Sequence, residues 1–230
     1  MIDIGPAQVR RYNESIMGIL YVVATPIGNL EDITLRAKRI LLETPVIACE
    51  DTRYTGNLIK IINPPAGGSI IKKYISIRDF NENLVIDRLL MELKENDVAL
   101  VSDAGTPLIS DPGFKLVRAA RAAGITVTPI PGPSAVITAL SAAGLPTNKF
   151  TFLGFLPKKW EIRPKETTII YESPLRIQKT VDDIRLRYPM AQIVLAHELT
   201  KIHEEITLLS TWPLALSTRG EYVILVYWSE

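Results

Sequence analysis

Four short stretches of this chain mix turn formers with groups that can bind or react. They read Thr25-Pro26-Ile27-Gly28-Asn29-Leu30, Glu50-Asp51-Thr52-Arg53, Asp103 through Gly113 (with Ala104, Gly105, Thr106, Ser110 and Asp111), and Pro131-Gly132-Pro133-Ser134-Ala135. Carboxylates, hydroxyls and glycines in this company suit a small polar ligand gripped by side chains and backbone N–H groups. Taken singly, each stretch is also what an ordinary turn uses. That all four are rich in both turn formers and functional groups weakens the plainer reading. Other chemistries lack their residues. No G-x-G-x-x-G follows the first apolar run and there is no Walker A sequence, so dinucleotide and P-loop sites lose their fingerprints. His197 and His203, the only histidines, lack metal-ligand spacing to each other or to Cys49, so no metal site is expected. They read as a strand residue and a surface residue. No G-x-S-x-G elbow exists for a serine nucleophile. Trp160, Trp212 and Trp228 read as core or packing residues.

The elements that must carry these stretches alternate. Apolar, β-branched runs over residues 19–24, 46–49, 70–75, 98–102 and 126–129 predict parallel strands covered on both faces. Helices are expected between them at 33–43, 55–62, 83–95 and 114–123. Ile86, Leu89, Leu90 and Leu93 fall on one helical face, and Gly124 is a helix stop. The alternation predicts an open α/β sheet, and all four polar stretches follow its strands. Ligands of such sheets bind outside the carboxyl ends of the strands.

Beyond Pro131 the composition changes. A small-residue helix over 134–143, among Pro131, Pro133, Gly144 and Pro146, reads as a bridge into a second domain. That domain has strands at 150–154, 167–171, 193–197, 205–210 and 222–228 and a helix at 175–188. A moderate, helix-free loop joins its last two strands, which predicts that they run antiparallel in a mixed sheet. The expected organisation is a tail at 1–17, an α/β domain at 18–131, a bridge at 132–149 and a second α/β domain at 150–230. Met17, just before the first strand, is a candidate start.

Composition sets the outer limits. The 230 residues are 47% hydrophobic and 22% charged, as for a chain with a good core. No apolar run reaches the ~20 residues of a membrane span, and no apolar segment follows Arg10 and Arg11 as a secretory signal requires. One cysteine excludes an internal disulfide and a thiolate metal cluster, which fits a reducing cytoplasm. A net charge of +1 suits RNA poorly unless basic residues cluster. Lys158, Lys159, Arg163 and Lys165 form one such cluster, and Lys72 and Lys73 another. A solvated surface explains either equally well.

The motifs together resemble a known family. Residues 20–34, Cys49-Glu50-Asp51-Thr52-Arg53, Val101 through Gly113, Pro131 to Ala135, Gly154-Phe155-Leu156-Pro157, Tyr171-Glu172-Ser173-Pro174, Glu198-Leu199-Thr200-Lys201 and Arg219-Gly220-Glu221 are similar, in order, to the ribosomal RNA small-subunit methyltransferase I family of the tetrapyrrole-methylase superfamily. The resemblance implies two α/β domains holding S-adenosylmethionine in the cleft between them. It implies that Asp103, Ala104, Gly105 and Thr106 line the homocysteine and ribose side, that Ser134 and Ala135 touch the cofactor from the next loop, that Pro26 closes one wall, and that Tyr171 and Leu199 flank the adenine. It implies 2′-O-methylation of a decoding-centre cytidine in 16S ribosomal RNA, by a homodimer.

Glu50, Arg53 and Lys201 are the polar motif residues expected near the reacting groups. Lys201 or Glu50 would touch the ribose hydroxyl, and Arg53 would hold a phosphate. A structural Glu50–Arg53 ion pair is the other reading, and both stay open. Three features depart from the family pattern. Ile77-Arg78-Asp79-Phe80-Asn81-Glu82 keeps only the Asn-Glu end of a histidine-rich stretch, Leu175 replaces a histidine, and the basic loop after Pro157 is short. These departures leave open another acceptor, a tetrapyrrole or a diphthamide precursor; a non-catalytic RNA-binding relative is a separate alternative, against which the intact Asp103–Gly113 and Pro131–Ala135 loops argue.

Overall fold

The computed structural model describes residues 17–63, 71–78, 81–210 and 216–229. The strands are β1 (Leu20–Val23), β2 (Val46–Cys49), β3 (Lys73–Ser76), β4 (Val98–Leu100) and β5 (Val127–Ile130), ordered β3-β2-β4-β1-β5 and all parallel. β2 and β4 are buried at every position, as continuous apolar runs require when helices cover both faces. Helices α1 (Leu35–Glu43) and α2 (Thr52–Ile62) pack Leu41, Leu58 and Ile59 onto one face. Helices α3 (Glu82–Glu92) and α4 (Phe114–Ala122) pack Leu89 and Leu116 onto the other. Thr34 starts α1 by accepting the Ala37 N–H at 3.1 Å, and Asp51 starts α2 by accepting those of Arg53 and Tyr54. Gly124, at φ 74°, follows the end of α4.

This order creates a crevice. β4 lies between β1 and β2, yet its helix leaves toward the opposite face from theirs. The chain after β4 therefore leaves toward the opposite face from the chain after β1 and β2, and a crevice opens at the strand ends where they part.

A second sheet is built from β6 (Phe150–Phe155), β7 (Thr167–Glu172), β8 (Gln192–His197), β9 (Glu205–Leu208) and β10 (Tyr222–Tyr227), ordered β6-β7-β10-β8-β9. β6 and β7 are parallel and the other pairs antiparallel, so the sheet is mixed as expected. Helix α5 (Ala135–Ala142) packs Val136, Ala139 and Leu140 on one face. Helix α6 (Ile177–Arg187) packs Ile177, Val181 and Ile184 on the other. The last two strands do not pair as expected, nor do they run antiparallel. β8 stands between β9 and β10 and is antiparallel to both. β10 is buried at five of its six positions and takes the centre, whereas β9 exposes both ends and takes the edge. Trp160 and Trp228 pack against the α6-side core. Trp212 and the tail at 1–16 lie outside the described residues.

Candidate active-site cleft

The loops after β1, β2, β4 and β5 converge with the ends of β7 and β10 on a cleft of about 430 Å³. Thr25 and Gly105 form a two-way backbone bridge, with N···O distances of 2.9 and 3.0 Å, which clips the loop after β4 to that after β1. The Thr106 hydroxyl donates to the Pro133 carbonyl at 2.9 Å and ties the same loop to the start of α5. The Asp103 N–H donates to Glu50 Oε1 at 3.3 Å, and Asp103 Oδ1 accepts the Asp51 N–H at 3.1 Å. At its far end the loop is held from α3. Buried Glu82 accepts the N–H groups of Gly113 and Lys115 at 3.2 and 2.9 Å through Oε1, with the Lys115 ammonium 3.9 Å from Oε2. A carboxylate thus caps the first turn of α4, where the helix dipole favours negative charge. Between these anchors Leu108 (φ 74°) and Ser110 (φ 70°) are held in the left-handed region, a strain that non-glycine residues keep only where surroundings enforce it.

The opposite wall comes from the second sheet. Burial pushes the Tyr171 phenol up to about 12, nearby Asp111 adds to the shift, and the Val136 N–H at the start of α5 bonds its oxygen. Phe152 meets the Tyr171 ring edge-on with centroids 4.9 Å apart. Below the rim lies a charged cluster. Lys201 donates to Glu198 Oε1 and Glu221 Oε2, both at 2.9 Å, and the Glu221 N–H donates to Glu198 Oε1 at 3.1 Å. Burial alone would lower the Lys201 ammonium's pKa, but these two carboxylates carry it above its usual value. Lys201 is therefore a cation here. Gly28 brings the first-sheet loop against this cluster. A Cβ there would stand 2.5 Å from Lys201 Cγ and 3.0 Å from the Leu199 carbonyl oxygen.

Of the residues singled out from sequence, Glu50, Asp103, Ala104, Gly105, Thr106, Ser134, Ala135 and Tyr171 line the cleft. Pro26 lies beside it, in a groove that shares Asp103. Leu199 is buried in the core between α5 and the second sheet. Lys201 stands behind Glu221, which lines the cleft. Arg53 leaves 89% of its side chain exposed and pairs with Asp51 rather than Glu50, at 3.2 Å. That contact and two backbone N–H groups lower the Asp51 carboxyl to about 2. Lys72 and Lys73 are also committed, Lys72 to the carbonyls of Leu42 and Thr44, Lys73 to Glu92. Asp111, Phe155 and Glu221, all cleft-lining, and Glu82 behind it stand within stretches quoted from the sequence but were given no role in the site there. Glu82 did carry a signal. It precedes Ile86, Leu89 and Leu93 on the stripe that α3 buries, and a buried carboxylate needs partners. Cys49 is buried, which raises its thiol to about 11 and makes it a poor nucleophile.

The profile of the Tetrapyrrole (Corrin/Porphyrin) Methylases matches residues 19–211. Proteins called ribosomal RNA small subunit methyltransferase I from Xylella fastidiosa and Vibrio cholerae are 45% and 46% identical to the chain. They match 92% and 91% of it and 82% and 77% of their own lengths. The chain belongs to this methyltransferase family. Methyl transfer from S-adenosylmethionine is the chemistry of that family. The fold agrees. A uroporphyrin-III C-methyltransferase from Thermus thermophilus superposes with a TM-score of 0.61 at 19% identity, over 90% of this chain and 94% of that one. Another structure described under the same enzyme name and source, complexed with S-adenosylhomocysteine, gives 0.59 at 17% identity, over 90% and 97%.

The cleft's chemistry suits the cofactor. S-adenosylmethionine carries a sulfonium, an ammonium, a carboxylate and an adenosine. Ile27, Ile109 and Val223 offer apolar surface, while Glu50, Asp103, Asp111 and Glu221 offer negative charge to the two cations. The Ser134 side chain makes no capping bond at the start of α5, which leaves N–H donors of that first turn for a carboxylate. The volume falls in the range of small-molecule sites.

Proposed function

We propose that this protein transfers a methyl group from S-adenosylmethionine to ribosomal RNA of the small subunit, at the 2′-hydroxyl of a decoding-centre cytidine in 16S RNA. The observation that carries the reading is the 45% identity to relatives of that name over 92% of the chain, joined to the cleft at the ends of β1, β2 and β4. We also propose that the two sheets are two domains, residues 18–131 and 150–230, bridged by 132–149. The packing of α5 on the second sheet supports attaching that bridge to the second domain. A cytoplasmic homodimer is part of the same reading. Among the described residues no helix is long and apolar enough to cross a membrane.

When bound, S-adenosylmethionine supplies a methyl group on a positively charged sulfur. The chain's task is to bring a ribose oxygen to about 3 Å from that carbon, in line with the bond to be broken. Asp103 to Thr106 and Ser134–Ala135 form the cofactor's bed, and the Thr25–Gly105 and Thr106–Pro133 hydrogen bonds fix it before binding. Tyr171 stays a neutral phenol and serves as an aromatic wall with a hydroxyl at its edge. Glu50, placed in the cleft and bonded to the Asp103 N–H, is the carboxylate positioned to accept a hydroxyl proton. Lys201 holds Glu221 at the rim. A cation cannot act as a base, so its part is to orient and to offset negative charge.

The test is tritiated-methyl transfer from S-adenosylmethionine to small ribosomal subunits that lack the modification, with mapping of the label. Label on one ribose of the decoding centre is expected. A protein that binds the cofactor yet leaves the RNA unlabelled would overturn the acceptor, while label on a base would overturn only the 2′-hydroxyl.

A further inference from the structure

The cleft has no place for the acceptor's backbone. Among the described residues its lining includes the carboxylates of Glu50, Asp103, Asp111 and Glu221, and no lysine or arginine. A nucleic-acid strand carries one negative charge per nucleotide, so its phosphates must be held outside this acidic space while one ribose enters it. A second groove of about 310 Å³ opens next to the cleft and shares Glu172 with it. Three cations line this groove, namely Lys158, Arg176 and Lys179. Its acids are Glu172 and Asp183, and Glu172 is spent. That carboxylate is buried and accepts from the Ser173 N–H, the Thr180 hydroxyl and the Arg176 guanidinium at 2.6 to 2.8 Å.

We infer that this groove binds the phosphates of the acceptor RNA strand next to the reacting nucleotide, through Lys158, Arg176 and Lys179. The inference rests on the proposed RNA substrate. Arg176 is already oriented: its side chain is 53% exposed, while the Glu172 side chain that holds it is 2% exposed. The fork therefore meets a phosphate without first losing its rotamer freedom. Lys158 and Lys179 have no ion-pair or hydrogen-bond partner among the described residues, and both are exposed. At the junction of groove and cleft stands Phe155. Its ring is 55% exposed, lines the cleft, and has the Arg176 guanidinium 5.9 Å from its centroid. An exposed aromatic beside a cation is the usual platform for an unstacked base. The other basic groove, with Arg53, Lys60 and Lys72, suits the role less well. It shares no lining residue with the cleft, and two of its three cations already hold partners.

The experiment compares the whole protein with its Lys158→Ala/Lys179→Ala variant. The control is Lys38→Ala/Lys94→Ala, which removes the same charge from α1 and the turn after α3. Affinity for unmodified small ribosomal subunits is read by filter binding between about 50 and 200 mM salt. S-adenosylmethionine affinity is read by calorimetry. The groove variant should bind RNA roughly tenfold more weakly and lose about 1.4 from the slope of log K against log salt, since each phosphate contact on a single strand contributes about 0.7. Its cofactor affinity should equal that of the parent, and the control should match the parent throughout. An unchanged slope in the groove variant, or an equal loss in the control, overturns the groove. A parent protein that binds the cofactor but no ribosomal RNA overturns the substrate reading itself, and the groove with it.

Discussion

Glu82 lies on the buried stripe of α3, and among the described residues its carboxylate is the side-chain acceptor of the Gly113 and Lys115 N–H groups. Truncating it leaves two donors unsatisfied at the start of α4, at a cost of about 1–3 kcal/mol. Glu82→Ala is expected to lower the free energy of unfolding measured in urea by that amount and to weaken S-adenosylmethionine binding in calorimetry, because the 103–113 loop loses its far anchor. Glu82→Gln keeps an accepting oxygen and should recover most of both. Lys201 acts at the same scale. Removing its ammonium leaves Glu198 and Glu221 without the charge that now joins them. Lys201→Ala should lower turnover while cofactor affinity is retained, and steady-state kinetics beside calorimetry would check it. Such contacts were half legible in the sequence. Eight of the residues chosen there line the cleft, because motif position carries them there. The partner of Arg53 was not legible, since Glu50 and Asp51 are adjacent and only the start of α2 turns Asp51 toward the helix N–H groups.

Elements were easier to read than their neighbours. Buried parallel strands must be apolar throughout, so β2 and β4 announced themselves, and the Leu89 stripe fixed α3 to within a few residues. What no local pattern states is which strand lies beside which. The β9–β10 pairing failed for that reason: β8 separates them, and burial, not chain proximity, put β10 in the centre. Likewise nothing in the stretch around Gly28 shows that it will face residues 199–201. The structure makes this a close approach, with the nearest atoms in the second sheet's loop. Gly28→Ala is expected to push that loop away from the cleft. It should weaken cofactor binding several-fold and lower Tm, because the added methyl meets the stem of the Lys201 side chain, whose ammonium is held by two carboxylates, and the Leu199 carbonyl behind it. Retained affinity and Tm would show that the loop yields freely.

At the scale of the molecule, the cleft is walled by both sheets, so a ligand within it reports on both. S-adenosylmethionine at about 100 times its Kd should stabilise the native state by about 2.7 kcal/mol, raising Tm by roughly 5–10 °C. A single transition that moves as one would show that the sheets unfold together. Two transitions of which only one moves would show that the cofactor is held by one of them alone. The strand order also bears on how the chain is made. β1, among the first described residues to leave the ribosome, is a central strand whose two neighbours are β4 and β5. At roughly 5–20 residues per second it waits several seconds for residue 100 with both edges unpaired, and longer for residue 130 with one edge still open. During translation Leu20 to Val23 is thus an apolar strand in search of a partner. Chaperone demand and misassembly at birth should concentrate in that interval, before the last parallel partner of the first sheet has been synthesised.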